Sequence, residues 1–191
     1  MLKLSKLGAI CVFASTAFSG VQDAGAQRIA IKTNALDWAM LSPNIGVEAR
    51  LSRRVSLQLA VAGNPFNFSV AGFNWKNYRV EPELRYWFNR PMARHFIALS
   101  ATAAGYHLRH ADHHLQGDAV GAGISYGYAL VLGSHWNMEV EAGVGIAHFS
   151  AYDFYGDKWK NNLGEKNFKK FLPVPIRLGL SFSYINTSVI F

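Results

Sequence analysis

The sequence predicts an all-β protein, an eight-stranded antiparallel up-and-down transmembrane β-barrel. Three observations carry this: eight stretches of period-two alternation, tight and long connections that alternate along the chain, and a large apolar face in every strand opposed by a small or charged one. Half of the 191 residues are hydrophobic. Even so, no apolar stretch beyond Phe18 reaches the ~20 residues of a spanning helix, so strands are left to cross a bilayer.

The first element is a leader. Lys3 and Lys6 precede an apolar run from Leu7 to Phe18, and Ala24-Gly25-Ala26 follows. This is the layout of a signal peptide over 1–26, cleaved after Ala26, with Gln27 as the first mature residue. Cys11, the only cysteine, lies inside that run behind Ile10, which argues against lipid attachment. The mature chain is then expected to have no thiol, which excludes a disulfide framework, a zinc-thiolate site and a cysteine nucleophile. Residues 27–191 read as one domain. Losing Lys3, Lys6 and Asp23 changes 19 basic against 12 acidic residues to 17 against 11. In an exported chain that excess points to anionic lipid head groups rather than nucleic acid.

In chain order the strands read Arg28 to Leu36, Asn44 to Leu51, Arg54 to Gly63, Tyr78 to Phe88, His95 to Tyr106, Ala119 to Val131, Trp136 to Ala147 and Val174 to Tyr184. Ser52-Arg53, the stretch around Asn89-Arg90-Pro91, and Leu132 to His135 are tight connections. Asp37 to Pro43, Asn64 to Asn77, His107 to Asp118 and His148 to Pro173 are long. All tight turns and both termini then share one end, as the periplasmic end of a transmembrane barrel does. Pro82 has no N–H for a ladder, so a bulge is expected there.

The apolar parity holds Ile45 and Val47, Leu57 and Leu59, Ile124 and Tyr126, Val140 and Val144, and Leu178 and Leu180. The opposite parity holds Gly121, Gly123, Ser125 and Gly127, Ser100 and Thr102, Gly143 and Gly145. Eight strands enclose too little space for the large set, so the small and charged set belongs in the lumen and the apolar set against lipid. Tyr86, Phe88, Trp136 and Tyr184 at the tight-turn end, and Trp38, Trp75, Tyr78, Phe149 and Phe171 at the other, make two interfacial girdles. A soluble barrel or sandwich is the alternative.

Inward positions collect Lys32, Arg50, Arg79, Arg85 and Arg177 against Glu48, Glu81, Glu83, Glu139 and Glu141, five of each sign. Balanced charge predicts an interlocked plug, because a buried charge without a partner is expensive. An open pore would show one dominant sign.

Several of these segments together resemble a known family. They are Lys32-Thr33-Asn34, Pro43-Asn44-Ile45-Gly46-Val47-Glu48, Gly63-Asn64-Pro65-Phe66, Pro82-Glu83-Leu84-Arg85-Tyr86-Trp87 and Gly123-Ile124-Ser125-Tyr126-Gly127-Tyr128. The chain resembles an uncharacterised domain-of-unknown-function family of small outer-membrane barrels common in Bacteroidetes, over nearly all of its mature length. The resemblance implies a Gram-negative outer-membrane location and a barrel similar to that of outer-membrane protein A. It implies no activity and no catalytic residue. Phe191 resembles the terminal aromatic read by the barrel-assembly machinery. It lies on the other parity from Tyr184, so a bulge or a short tail is expected over Thr187 to Phe191.

Three clusters suggest chemistry. His107, His110, Asp112, His113 and His114 supply imidazoles and a carboxylate suited to zinc, copper or nickel; their spacing fits no fixed metal motif, and Arg109 adds repulsion. His148-Phe149-Ser150 is similar to the His-x-Ser pair of lipid A deacylases, in which histidine takes the serine proton and a carboxylate orients the ring. Asp153 or Asp157 would supply that acid here, but Ala151 stands where those enzymes carry asparagine. Lys158, Trp159, Lys160, Lys166, Lys169 and Lys170 make the last long loop basic, suited to lipopolysaccharide phosphates or an extracellular partner. The expected function is therefore structural or surface-interaction, non-enzymatic and without a cofactor. A lipid A-modifying enzyme and a narrow ion or solute channel are the alternatives.

Overall fold

The computed structural model describes residues 28–64, 69–70, 73–110, 113–155 and 168–186. The expected leader, Asp112, Asp157, the loop lysines from Lys158 to Lys166, and Thr187 to Phe191 lie outside the described residues. The strands are β1 (Ile29–Asn34), β2 (Asn44–Arg50), β3 (Val55–Asn64), β4 (Ser69–Val70), β5 (Phe73–Trp87), β6 (Arg94–His110), β7 (His113–Val131), β8 (Trp136–Tyr155) and β9 (Phe168–Asn186). Apart from the two-residue β4, which lies against β5, they form a ring of eight antiparallel strands. The ring closes twice over. The chain's ends meet where β1 pairs with β9, Ile31 opposite Tyr184, and β3 meets β5 directly from Val55↔Tyr86 to Asn64↔Asn77.

Two connections expected as long loops are largely strand. His107 to Asp118 is a hairpin in continuous register, from Gly105↔Asp118 to His110↔His113, and β8 and β9 run on to Ala151↔Phe168. The apolar alternation stops where the strands rise past the aromatic row, but the backbone pairing does not; charged residues there conceal a strand of the same geometry. Asp37 to Pro43 is not wholly loop either. Asn34 caps a short helix α1 (Ala35–Ala39) by accepting from the N–H of Leu36, and Leu41 ends it in the left-handed region at φ 55. Ser42 and Leu41 then donate back to the carbonyls of Asp37 and Trp38.

Pro82 carries no bulge. Register with β3 is unbroken through Leu59↔Pro82, and the ladder to β6 is merely interrupted between Val80↔Ala103 and Glu83↔Ser100, with no change of offset. A proline without an N–H loses bonds on one side only, so the strand need not bend. The irregularity lies instead between β8 and β9, where Gly143↔Arg177 is followed by Gly145↔Val174. Ile176 and Arg177, consecutive residues, are both buried as a result.

The two faces divide sharply. Outside, Ile124, Val144, Ile146 and Leu99 are each more than 60% exposed, while inside Glu48, Glu83, Arg85 and Glu139 are at most 2% exposed. Tyr86, Phe88, Trp136 and Tyr184 stand outside at the tight-turn end, and Trp38, Tyr78 and Phe171 outside at the other. Phe149 departs from the expected girdle: it packs against Tyr106, their ring centroids 6.3 Å apart, on the interior parity of β6 and β8. Between Tyr78 and Tyr86 the outer face of β5 climbs about 20 Å, taking ~3.3 Å per residue and a tilt near 40°.

Candidate functional site

The strongest chemistry lies in the interior, where alternation on five strands of the ring aims charged side chains at one axis. Arg85 of β5 is the hub. Its Nη1 lies 2.8 Å from Glu139 and 3.1 Å from Glu48, its Nη2 2.8 Å from Glu141, and its Nε bonds Glu83 two residues away on the same parity. A planar guanidinium with five donors can serve four carboxylates in this way, which an ammonium could not. Lys32 of β1 closes the lower tier on Glu139 at 2.6 Å and on Glu48. Arg177 makes the upper tier, 2.5 Å from Glu81 and 3.3 Å from Glu83. Arg79 continues upward to Glu81 at 3.0 Å and to Asp37.

Of the ten residues expected here, nine join. Arg50 does not: it shares the parity but sits half-buried at the tight turn, where its Nε donates to the carbonyl of Ser52 at 3.0 Å. Asp37, expected in a loop, joins instead because α1 folds it back over the ring. The balance therefore shifts. Among the described residues the network joins four cations, Lys32, Arg79, Arg85 and Arg177, to six carboxylates, Asp37, Glu48, Glu81, Glu83, Glu139 and Glu141. Serine hydroxyls take up the surplus acceptors: Ser125 donates to Glu141 at 2.6 Å, Ser100 to Glu83 at 3.3 Å, and Ser56 to Glu48.

Beneath the network an apolar floor closes the tight-turn end. Trp87 and Phe96 are fully buried with ring centroids 4.6 Å apart, Trp87 donates to Ser56 at 2.7 Å, and the Arg85 guanidinium stacks 4.4 Å from the Phe96 ring centre. Gly127 faces that ring; a Cβ there would overlap it. Met92 enters from the turn, held by Asn137, which donates to its carbonyl at 2.5 Å. Met92 and Arg94 both adopt φ near 65, an unusual conformation for residues with side chains. Above the hub, the cavity between Lys32, Gln58, Glu81 and Arg177 has about 10 Å³, the room of a single water.

The other candidates are dispersed or relocated. His107 and His114 share the outer parity, their rings 5.9 Å apart, and the His110 and His113 backbones pair with each other; Asp112 lies outside the described residues. No metal-holding group of three or more His, Cys, Asp or Glu occurs among the described residues. His148 and Ser150 share the outer face of β8 within the ladder, and His148 packs on Phe171 at 4.6 Å. Asp118 stands opposite Ser150 on β7, while the Asp153 backbone pairs with Leu115. Lys169 and Lys170 are exposed on β9.

Comparison with curated proteins and with solved structures returned no match. A family model does match, over residues 9–186, and by that match the chain belongs to the family described as Protein of unknown function (DUF3575).

Proposed function

We propose that this chain is an outer-membrane β-barrel with a structural or surface-interaction role, exported through a cleaved signal peptide and closed along its lumen. The observation that carries the reading is the inversion of faces: the ring buries Glu48, Glu83, Arg85 and Glu139 and exposes Ile124, Val144 and Ile146. An aqueous protein with that surface would aggregate, whereas hydrocarbon solvates it without cost. Outer-membrane lipid, lipopolysaccharide included, is the natural partner of the outer face, the assembly machinery that of the nascent chain, and the long-loop end is free for an extracellular protein. The closed lumen has its support in the hub, the aromatic floor beneath it and the small size of the cavity above it. No catalytic step is assigned to the network, since every carboxylate in it is engaged by a cation or hydroxyl.

Extraction of the full chain from membranes, followed by gel migration with and without heating, tests the fold. A folded band that shifts on heating is expected; a chain recovered in the soluble fraction would overturn the reading. Single-channel recording in planar bilayers tests closure, with no porin-sized steps expected. The enzyme reading keeps one specific observation in its favour, the placing of His148, Ser150 and Asp118 on a common outer face of β7 and β8. Mass spectrometry of lipid A from cells with and without the protein decides it, and identical acylation is expected.

A further inference from the structure

The five strands β5 to β9 rise beyond the aromatic row, and their outer face changes character there. One row above Tyr78, Lys76 stands opposite His107, and His107 opposite Gln116; one row higher, Arg109 stands opposite His114. The rings of His107 and His114 are 5.9 Å apart. Burial holds the His107 imidazole below its ordinary range, and His114, Lys76 and Arg109 push it the same way, so positive potential converges on that ring. Lys76 and Arg109 are exposed, and beside them the Gln116 side-chain oxygen is buried without a partner. An antiparallel sheet normally sets opposite charges across its rows. Here the rows gather cations and imidazoles, the arrangement that attracts an anion.

The same face continues downward as a shallow, open apolar groove. Small Gly121 and Ala122 form its floor and Val120, Ile146 and Phe171 its walls, around a space of about 520 Å³. Phe171 is 73% exposed, braced from the side by His148. Between groove and basic rows runs one register row of mixed charge, Tyr78, Gly105, Asp118, Ser150 and Lys169, so a carboxylate and an ammonium both stand on the path from head site to groove. A cationic head site one row beyond an apolar groove suits a lipid that carries a phosphate.

We propose that the outer face of β5 to β9 seats a phosphorylated lipid of the outer leaflet, its phosphate against Lys76, Arg109 and the His107/His114 pair, and one acyl chain in the groove beside Phe171. This rests on the membrane reading above. The polarity of the site is consistent with it, because the phosphate level lies just beyond the aromatic row that marks the interface.

The test uses the full chain folded into phosphatidylcholine nanodiscs, with lipid A, dephosphorylated lipid A or inorganic phosphate added, and retained ligand read by native mass spectrometry. One lipid A per chain is expected, with the dephosphorylated form and inorganic phosphate not retained. Joint Lys76→Ser and Arg109→Ser replacement is expected to lower lipid A retention about thirtyfold, from the loss of two surface cations. Phe171→Ala should weaken it while leaving the preference for phosphate. Equal retention of both lipid A forms, or unchanged retention by the double variant, would overturn the proposal. Capture of inorganic phosphate without lipid A would overturn the lipid assignment. Heat-shifted migration of the same samples reports insertion independently: failure to insert overturns both readings, and insertion without selective retention overturns this one alone.

Discussion

Leu84 and Arg85 are neighbours on β5, yet the leucine is 45% exposed and the arginine 1%. The same reversal repeats round the ring, and it gives the two faces opposite ways to fail. The interior is a set of mutual obligations in which Arg85 answers four carboxylates. Removing one member strands the others in a place where desolvation is costly. The exterior consists of apolar side chains that depend on the surrounding medium more than on one another. What destabilises the inside is therefore loss of charge; if the outside meets hydrocarbon, as proposed, what destabilises it is gain of charge.

Arg85→Ala should have the largest effect. It leaves Glu48, Glu83, Glu139 and Glu141 short of their shared donor and should cost about 3–5 kcal/mol, read by urea unfolding of the full chain in liposomes. Leu84→Arg, one residue away, should cost ~2–4 kcal/mol in the same assay if the outer face meets hydrocarbon. No loss at that position would remove the contrast altogether, since a water-facing site accepts arginine freely. Gly127→Ala places a methyl against the Phe96 ring and should cost about 1–3 kcal/mol through overpacking. Trp87→Phe keeps the floor but drops the bond to Ser56, a loss of roughly 0.5–1.5 kcal/mol. Arg50→Ala should fall within ~0.5 kcal/mol, because this arginine lies at the turn rather than in the network. A large effect there would redraw the boundary of the interior.

The faces were legible because period two is a property of the backbone: once Val80 and Leu84 are outside, Arg79, Glu81, Glu83 and Arg85 must be inside. The same rule implied Trp87, but a tryptophan at a strand end looks like an interfacial residue, and its partner Phe96 lies across a turn whose geometry the sequence does not display. Strand ends were harder. Beyond Tyr106 the residues turn polar while the pairing persists, so the histidine stretch resembled a loop and its alternating placement was hidden. Asp37 was unreadable for another reason: a helical turn capped by Asn34 carries it back onto the ring, a tertiary folding-over with no periodic trace. Pro82 is where the sequence alone places a bulge, whereas the structure has it where glycines on β8 face Pro175 and its neighbours on β9.

Met92 has a consequence for how the circle is made. Its side chain packs between Ala30 of the first strand and Ile185 of the last, at the seam where the two ends of the chain join. A residue from the middle of the chain thus acts as the clasp for its termini. The seam brings together the most distant parts of the sequence, so its loop-closure cost is the greatest of any strand pair. Where that turn is formed, the last strand meets an apolar catch rather than a bare edge. Ring completion then depends on a turn between β5 and β6 that is far in sequence from the strand it receives.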